Sequence, residues 1–156
     1  MIFQQSSIFT LTVQFEDVDA NGVVHHPNYL KYLERARFYG IKQCGYSLEK
    51  LSYSGLALVV SEIHANYLRP ATIEQELFVI SRVIFVGKSS VKICQSITST
   101  LPTTYEEIEK AGEKFVYLPE TIFWSQITLA CVDLKSGKPK SIPLELKQAI
   151  KMFNNN

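Results

Sequence analysis

Phe15-Glu16-Asp17-Val18-Asp19-Ala20-Asn21-Gly22-Val23-Val24-His25-His26-Pro27-Asn28-Tyr29 is the stretch on which the fold turns, because it carries the chain out of a strand, through an acidic loop with a glycine, and into a helix. Upstream, Leu11, Val13 and Phe15 alternate with Thr10, Thr12 and Gln14, the period of two expected of a strand with one buried face. Downstream the period lengthens. From Asn28 to Cys44, at about 100° per residue, Tyr29, Leu30, Leu33, Ala36, Gly40, Ile41 and Cys44 gather on one arc with Lys31, Arg35 and Lys42 opposite. That predicts one helix of about 25 Å. Pro27 suits its first position and Gly45 the residue just past its end, while Gly40 implies close approach to a sheet. The start of such a helix offers unpaired N–H donors and the positive end of its dipole, so a carbonyl lying there would be polarised as negative charge grew on its oxygen. A carboxylate a few residues upstream could attack that carbonyl or activate water to do so.

Working outward, a short helical turn is expected from Ser47 to Tyr53, followed by three extended segments at Leu56 to Leu68, Glu74 to Val86 and Ser89 to Thr98 that read as a meander. Val86-Gly87-Lys88-Ser89 reads as a tight connection whose glycine takes a positive dihedral. Leu101 to Glu120 is a polar insert with helical prospects at Tyr105 to Ala111, and Thr121 to Leu134 returns to strand composition. Ser136-Gly137-Lys138-Pro139 breaks that strand, Pro143 to Phe153 is a final helix, and Asn154-Asn155-Asn156 is a frayed tail. One long helix among about five hairpin-linked strands is an α+β pattern in which an antiparallel sheet covers the helix.

The chain has 156 residues, 46% of them apolar, which suits one domain with a full core over 1–156. A net charge of +1 gives no basic stripe for nucleic acid and no acidic tail. Cys44, Cys94 and Cys131 are odd in number and far apart, forming neither a disulfide framework nor a metal-ligand pair; they read as buried small hydrophobes in a reducing compartment. No cationic start followed by an apolar run marks a signal peptide in Met1 to Ser7, and the apolar stretch Thr121 to Val132 is too short to span a bilayer. A soluble, cytoplasmic protein without metal or redox cofactor is expected.

Asp17-Val18-Asp19-Ala20-Asn21-Gly22-Val23-Val24-His25-His26-Pro27-Asn28-Tyr29-Leu30-Lys31-Tyr32-Leu33-Glu34-Arg35-Ala36-Arg37 resembles the signature of hot-dog-fold acyl-CoA thioesterases, the group containing 4-hydroxybenzoyl-CoA thioesterase and the Tol-Pal-associated acyl-CoA thioesterase. It keeps the order D-x-D-x-x-G-x-V-x-H-x-N-Y. Weaker similarity continues through Gly55-Leu56-Ala57-Leu58-Val59-Val60 and Tyr67-Leu68-Arg69-Pro70-Ala71 to about Ile97. The resemblance implies a sheet wrapped around the central helix, hydrolysis of a thioester to a carboxylate and coenzyme A, and a dimer with sites at its interface, often doubled to a tetramer. The thiol carrier would be coenzyme A or acyl carrier protein. Other readings are a hot-dog hydratase or dehydratase, and a non-catalytic acyl-thioester-binding protein.

On spacing alone Asp19 suits an Asx-type turn beside Asn21-Gly22; the resemblance makes it the catalytic carboxylate, as nucleophile or general base, with Asp17 organising the loop. His26 matches the helix-start position where a backbone N–H serves as oxyanion donor and a histidine side chain assists. His25 stands where relatives carry tyrosine or tryptophan and is read as pocket wall, with Tyr29, Tyr32, Leu33 and Phe38. Phe15 departs from relatives that carry a useful tyrosine there. Gly55, Ala57 and Leu58 match a loop that adds a second donor from a partner subunit. Lys88, Ser89 and Ser90, with Arg69 near in motif terms, match positions that contact the phosphates or pantetheine arm of coenzyme A. Glu34 and Arg37, three apart on the helix, are expected to pair, with Glu34 acting on substrate as the functional alternative. Glu62, His64 and Asn66 are expected on one strand face, opposite Ala57, Val59, Ile63, Ala65 and Tyr67, as a solvated or subunit-facing surface.

Overall fold

The computed structural model describes residues 7–101, 106–110, 113–117 and 120–153, so the expectations for the N-terminal segment and the Asn154–Asn156 tail lie outside the described residues. Five strands form one antiparallel sheet: β1 (Ser7–Thr12), β2 (Leu56–Tyr67), β3 (Glu76–Val86), β4 (Ser90–Thr98) and β7 (Thr121–Asp133), in the order β1-β3-β4-β7-β2. Helix α1 (His26–Gln43) packs on its inner face, α2 (Leu48–Tyr53) follows, and α3 (Leu144–Met152) closes the chain. A second two-stranded sheet, β5 (Glu106–Lys110) with β6 (Glu113–Tyr117), lies over β3, β4 and β7.

The arc predicted for the long helix is its buried side. Tyr29, Leu33, Ala36, Gly40 and Ile41 are buried, Tyr32 among them, against inner-face residues that include Val79, Ile97, Phe123 and Ile127. The helix opens two residues earlier than expected, with His25 as cap and Pro27 in second place, where its missing N–H costs nothing. Its end is set by Gly45 at φ +81°: the Tyr46 N–H reaches back to the Ile41 carbonyl and the Gly45 N–H to the Lys42 carbonyl.

Gly40 permits the close approach foreseen, but to more than a sheet. A Cβ there would collide with the ring of Phe153, just after α3, and stand 3.0 Å from the Ser7 hydroxyl at the start of β1. Helix and strand thus meet the chain's C-terminal end at one residue.

Several expectations are corrected. The first strand ends at Thr12, and Phe15 opens a 3₁₀ turn with 83% of its surface exposed, because Gln14 and Asp17 bond to each other across that turn. The three strands after α2 are not a meander: β3 and β4 form a hairpin, but β2 crosses to the far edge and pairs with β7. Residues 106–110 are strand rather than helix, recruited as partner by Phe115-Val116-Tyr117, a strand-forming run. Gly87 is absent from the positive-φ glycines; a side chain there would crowd Phe85 and Ser90, and that contact explains the glycine. Finally, a bulge at Ser61 shifts the register of β2 between Val60 and Glu62. Cross-strand pairing then puts Leu58, Val60, Ile63, Ala65 and Tyr67 on the helix side, and Ala57 and Val59 share the other face with Glu62, His64 and Asn66. That face is exposed, with His64 Nε2 3.1 Å from Glu62 Oε1.

Gly40→Ala is therefore expected to destabilise the protein by about 1–3 kcal/mol, although alanine is otherwise the better helix former. Urea denaturation checks this, and Phe153→Leu added to Gly40→Ala should recover part of the loss.

Candidate active site

The acidic loop folds into a small hairpin. Val18 bridges Val24 in antiparallel fashion, the Asp19 N–H donates to the Val23 carbonyl, and the Gly22 N–H donates to the Asp19 carbonyl with Gly22 at φ +77°. Only a residue free to take positive φ closes that turn without strain. The hairpin is then fastened to the helix through Asp17. Its buried carboxylate accepts from the Gln14 N–H at 2.8 Å, and its carbonyl accepts from the His25 N–H at 2.9 Å and from Asn28 Nδ2 at 2.8 Å. Asp17 is thus a loop organiser, and Asn28 ties the first turn of α1 to it.

Asp19 and the helix start are neighbours through this hairpin. The half-buried Asp19 carboxylate accepts from the Asn21 N–H at 2.8 Å through Oδ1, the Asx turn that spacing alone allows; Oδ2 has no partner among the described residues. His25 and His26 are exposed, with ring centroids 4.9 Å apart. The His26 N–H opens α1 without an acceptor among the described residues, and Pro27 brings no donor. The Tyr67 hydroxyl donates to the His26 carbonyl at 3.0 Å.

Behind this, Tyr29 stacks on Phe123 at 5.4 Å, and its hydroxyl accepts from the Ala71 N–H, while the Ala71 carbonyl takes the Val24 N–H. Burial raises the Tyr29 pKa against the pull of that amide. Tyr32 is raised well above the ordinary tyrosine range, first by burial and then by the Asp17 charge. Its enclosed hydroxyl lies near enough to feel that carboxylate without a properly directed hydrogen bond to it. Tyr29, Tyr32 and Leu33 therefore belong to the core rather than to an open wall.

A separate apolar cavity of about 320 Å³ lies between α1, the start of α2, the strands β2, β3, β4 and β7, and α3. Its polar lining is Glu34 and Arg37, and of the residues expected to touch substrate it includes Leu58 and Phe38. Glu34 and Arg37 do not pair: Arg37 Nη1 donates to Gln95 Oε1 at 2.8 Å, and Gln95, 1% exposed, donates in turn to the Leu33 carbonyl and the Ser81 hydroxyl. Burial lowers the Arg37 pKa, and the Glu34 charge pulls it partly back. Sequence reasoning missed Gln95, since a glutamine in a strand carries no signal of its partner.

The remaining expected contacts divide between two ends of the sheet. At one end Tyr67 pairs with Phe123, the Arg69 N–H donates to the Ile122 carbonyl, and the hairpin with His25 and His26 stands beside them. At the other, Leu56 pairs with Asp133, so Gly55, Ala57 and Leu58 sit there, and Lys88, Ser89 and Ser90 join them because the Ser89 carbonyl accepts from the Cys131 N–H. The ends are roughly 35 Å apart at ~3.3 Å per residue. Arg69 and Lys88 do not meet in one chain. Among the described residues no three His, Cys, Asp or Glu side chains gather as metal ligands.

The sequence profile of the thioesterase-like superfamily matches residues 13–150. An acyl-CoA thioesterase YbgC from Helicobacter pylori is 30% identical over 139 residues, covering 88% of this chain and 95% of that protein. The Haemophilus influenzae acyl-CoA thioesterase YbgC is 29% identical over 144 residues, with 90% and 91% covered. Among solved structures, a Staphylococcus aureus protein in complex with CoA superposes with a TM-score of 0.77 at 17% identity, covering all of this chain and 87% of its own; at that identity the likeness is one of fold.

Gln95→Leu should cost about 1.5–3 kcal/mol in chemical denaturation, because a hydrogen bond to a half-buried cation is lost and the Arg37 guanidinium keeps no protein acceptor among the described residues.

Proposed function

The chain belongs to the thioesterase-like superfamily, and from that premise we propose that it hydrolyses acyl-CoA thioesters, consuming water and releasing a carboxylate and the free thiol of coenzyme A. The observation that carries this reading is the hairpin Val18–Val24, which carries a half-buried carboxylate on the loop leading directly into the open first amide of a long helix. Through the oxygen not engaged by Asn21, Asp19 either attacks the thioester carbonyl, breaking the C–S bond to leave an anhydride that water then cleaves, or takes a proton from a water that attacks the carbonyl directly and expels the thiolate. The His26 N–H, backed by the helix dipole, receives the charge that develops on the carbonyl oxygen. The exposed His26 imidazole suits proton delivery to the departing thiolate. No metal or redox cofactor enters this scheme.

The coenzyme contacts require a second chain. β2 is an edge strand of 12 residues whose outer backbone groups face no neighbour in the described chain. Val59, Val60 and Ile63 are exposed along it. Two copies of β2 paired antiparallel would bring the Leu56 end of one beside the Tyr67 end of the other. Gly55, Ala57, Leu58 and Lys88 to Ser90 of one subunit would then face His25, His26 and Asp19 of its partner, joining the two groups that one chain keeps apart. Long edges of this kind rarely stay bare in native proteins. Doubling to a tetramer, acyl carrier protein as an alternative thiol carrier, and a cytoplasmic setting belong to the same proposal.

A second reading for the carboxylate rests on the cavity: Glu34 is exposed at its lining and free of Arg37, whereas Asp19 spends one oxygen on its own loop. The two are separated by substitution. Asp19→Asn is expected to lower kcat in a free-thiol release assay about a hundredfold or more with the fold intact, and Glu34→Gln to change it only a few fold. The reverse pattern moves the chemistry to Glu34. Light scattering should give a mass of two or four chains, and a fully active monomer would remove the shared site.

A further inference from the structure

We propose that the cavity under α3 seats an aliphatic acyl chain of up to about ten carbons and that α3 sets its length, an inference that rests on the thioester reading and names its substrate class. The cavity is one-sided. Its wall from α3, Leu146 and Ile150 with Phe153 just beyond, is buried, as are Val91 and Leu129 on the sheet, while Val60 on the β2 edge and Glu34 and Phe38 on α1 above it are open to solvent. The mouth therefore faces the β2 edge and the closed end is α3. In the antiparallel pairing of β2 strands, that mouth opens about four residues, roughly 13 Å, from the partner's helix start, a span for the pantetheine-linked end of the acyl group to cross.

The lining decides the chemistry of the occupant. A hydroxylated aryl group needs a polar partner where its ring ends, and the closed end supplies only hydrocarbon. The polar groups of the lining, Glu34 and Arg37, are both on α1, and Arg37 is already committed to Gln95. An unbranched chain asks for nothing but apolar contact. At a share of about 30 Å³ per chain carbon, close to that of a water molecule, the 320 Å³, part of it at the open mouth, sets an upper limit of roughly ten carbons.

The test compares butanoyl-, decanoyl- and benzoyl-CoA in a thiol-release assay and measures the melting temperature with and without decanoate. Decanoyl-CoA should be the best of the three, and decanoate should raise the melting temperature of the wild type. Ile150→Trp, which fills the closed end, should cut kcat/KM for decanoyl-CoA at least about tenfold, mostly through KM, and spare butanoyl-CoA; it should also abolish the decanoate shift. Should that variant not fold, Leu146→Ala lengthens the cavity and should move the preference toward tetradecanoyl-CoA. Equal turnover of benzoyl- and decanoyl-CoA, or a chain preference unchanged in a folded variant, overturns the proposal. Absence of thiol release from every substrate, with a decanoate shift that Ile150→Trp removes, overturns the hydrolase reading and upholds the cavity as an aliphatic site.

Discussion

Asp17 is the constraint on which the site depends. One residue takes the Gln14 amide on its carboxylate and the His25 amide and Asn28 side chain on its carbonyl, so the end of the first loop, the hairpin and the first turn of α1 are a single hydrogen-bonded unit. A helix start left to itself frays, since its first amides have no internal acceptors. Fixing it from outside, with a buried acceptor rather than with a conventional cap on the helix itself, leaves the His26 amide both oriented and unoccupied. Hydrogen bonds to an ionised acceptor are the stronger kind, which suits a loop that must hold its shape at the surface.

The same economy governs the body of the domain. The helix lies close to the sheet because Gly40 has no side chain, and the space it leaves is taken by Phe153 from the far end of the chain. Beneath its middle, the half-buried cation of Arg37 is tolerated because Gln95 meets it and is itself fully engaged. Such a chain of polar contacts fixes how the helix is rotated on the sheet, which apolar packing leaves less defined.

What could be read from the residues follows from the range of the interactions involved. The long helix, its glycine stop, α2, α3 and the strand runs were legible because capping and periodicity are local. The place of β2 was not, since strand order depends on which edges are free after distant segments have paired. Nor was the bulge at Ser61, because no residue there announces an extra position in the register. Residues 106–110 have the composition of a helix and become strand through a neighbouring segment. The pattern from Asp17 to Tyr29 located a loop running into a helix start, whereas the folding of that loop as a hairpin, the cavity, assembled from seven elements, and the turn of Arg37 toward Gln95 instead of Glu34 required the fold.

The bulge has an evolutionary corollary. Since one surplus residue at Ser61 decides which side of the sheet the second half of β2 presents, loss of a single codon there would turn Ile63, Ala65 and Tyr67 outward and bring Glu62, His64 and Asn66 beneath the helix. Tyr67 would then release the His26 carbonyl, and the first turn of α1 would lose its outer brace. The number of residues at this one spot thus matters more to the sheet than which amino acid occupies it.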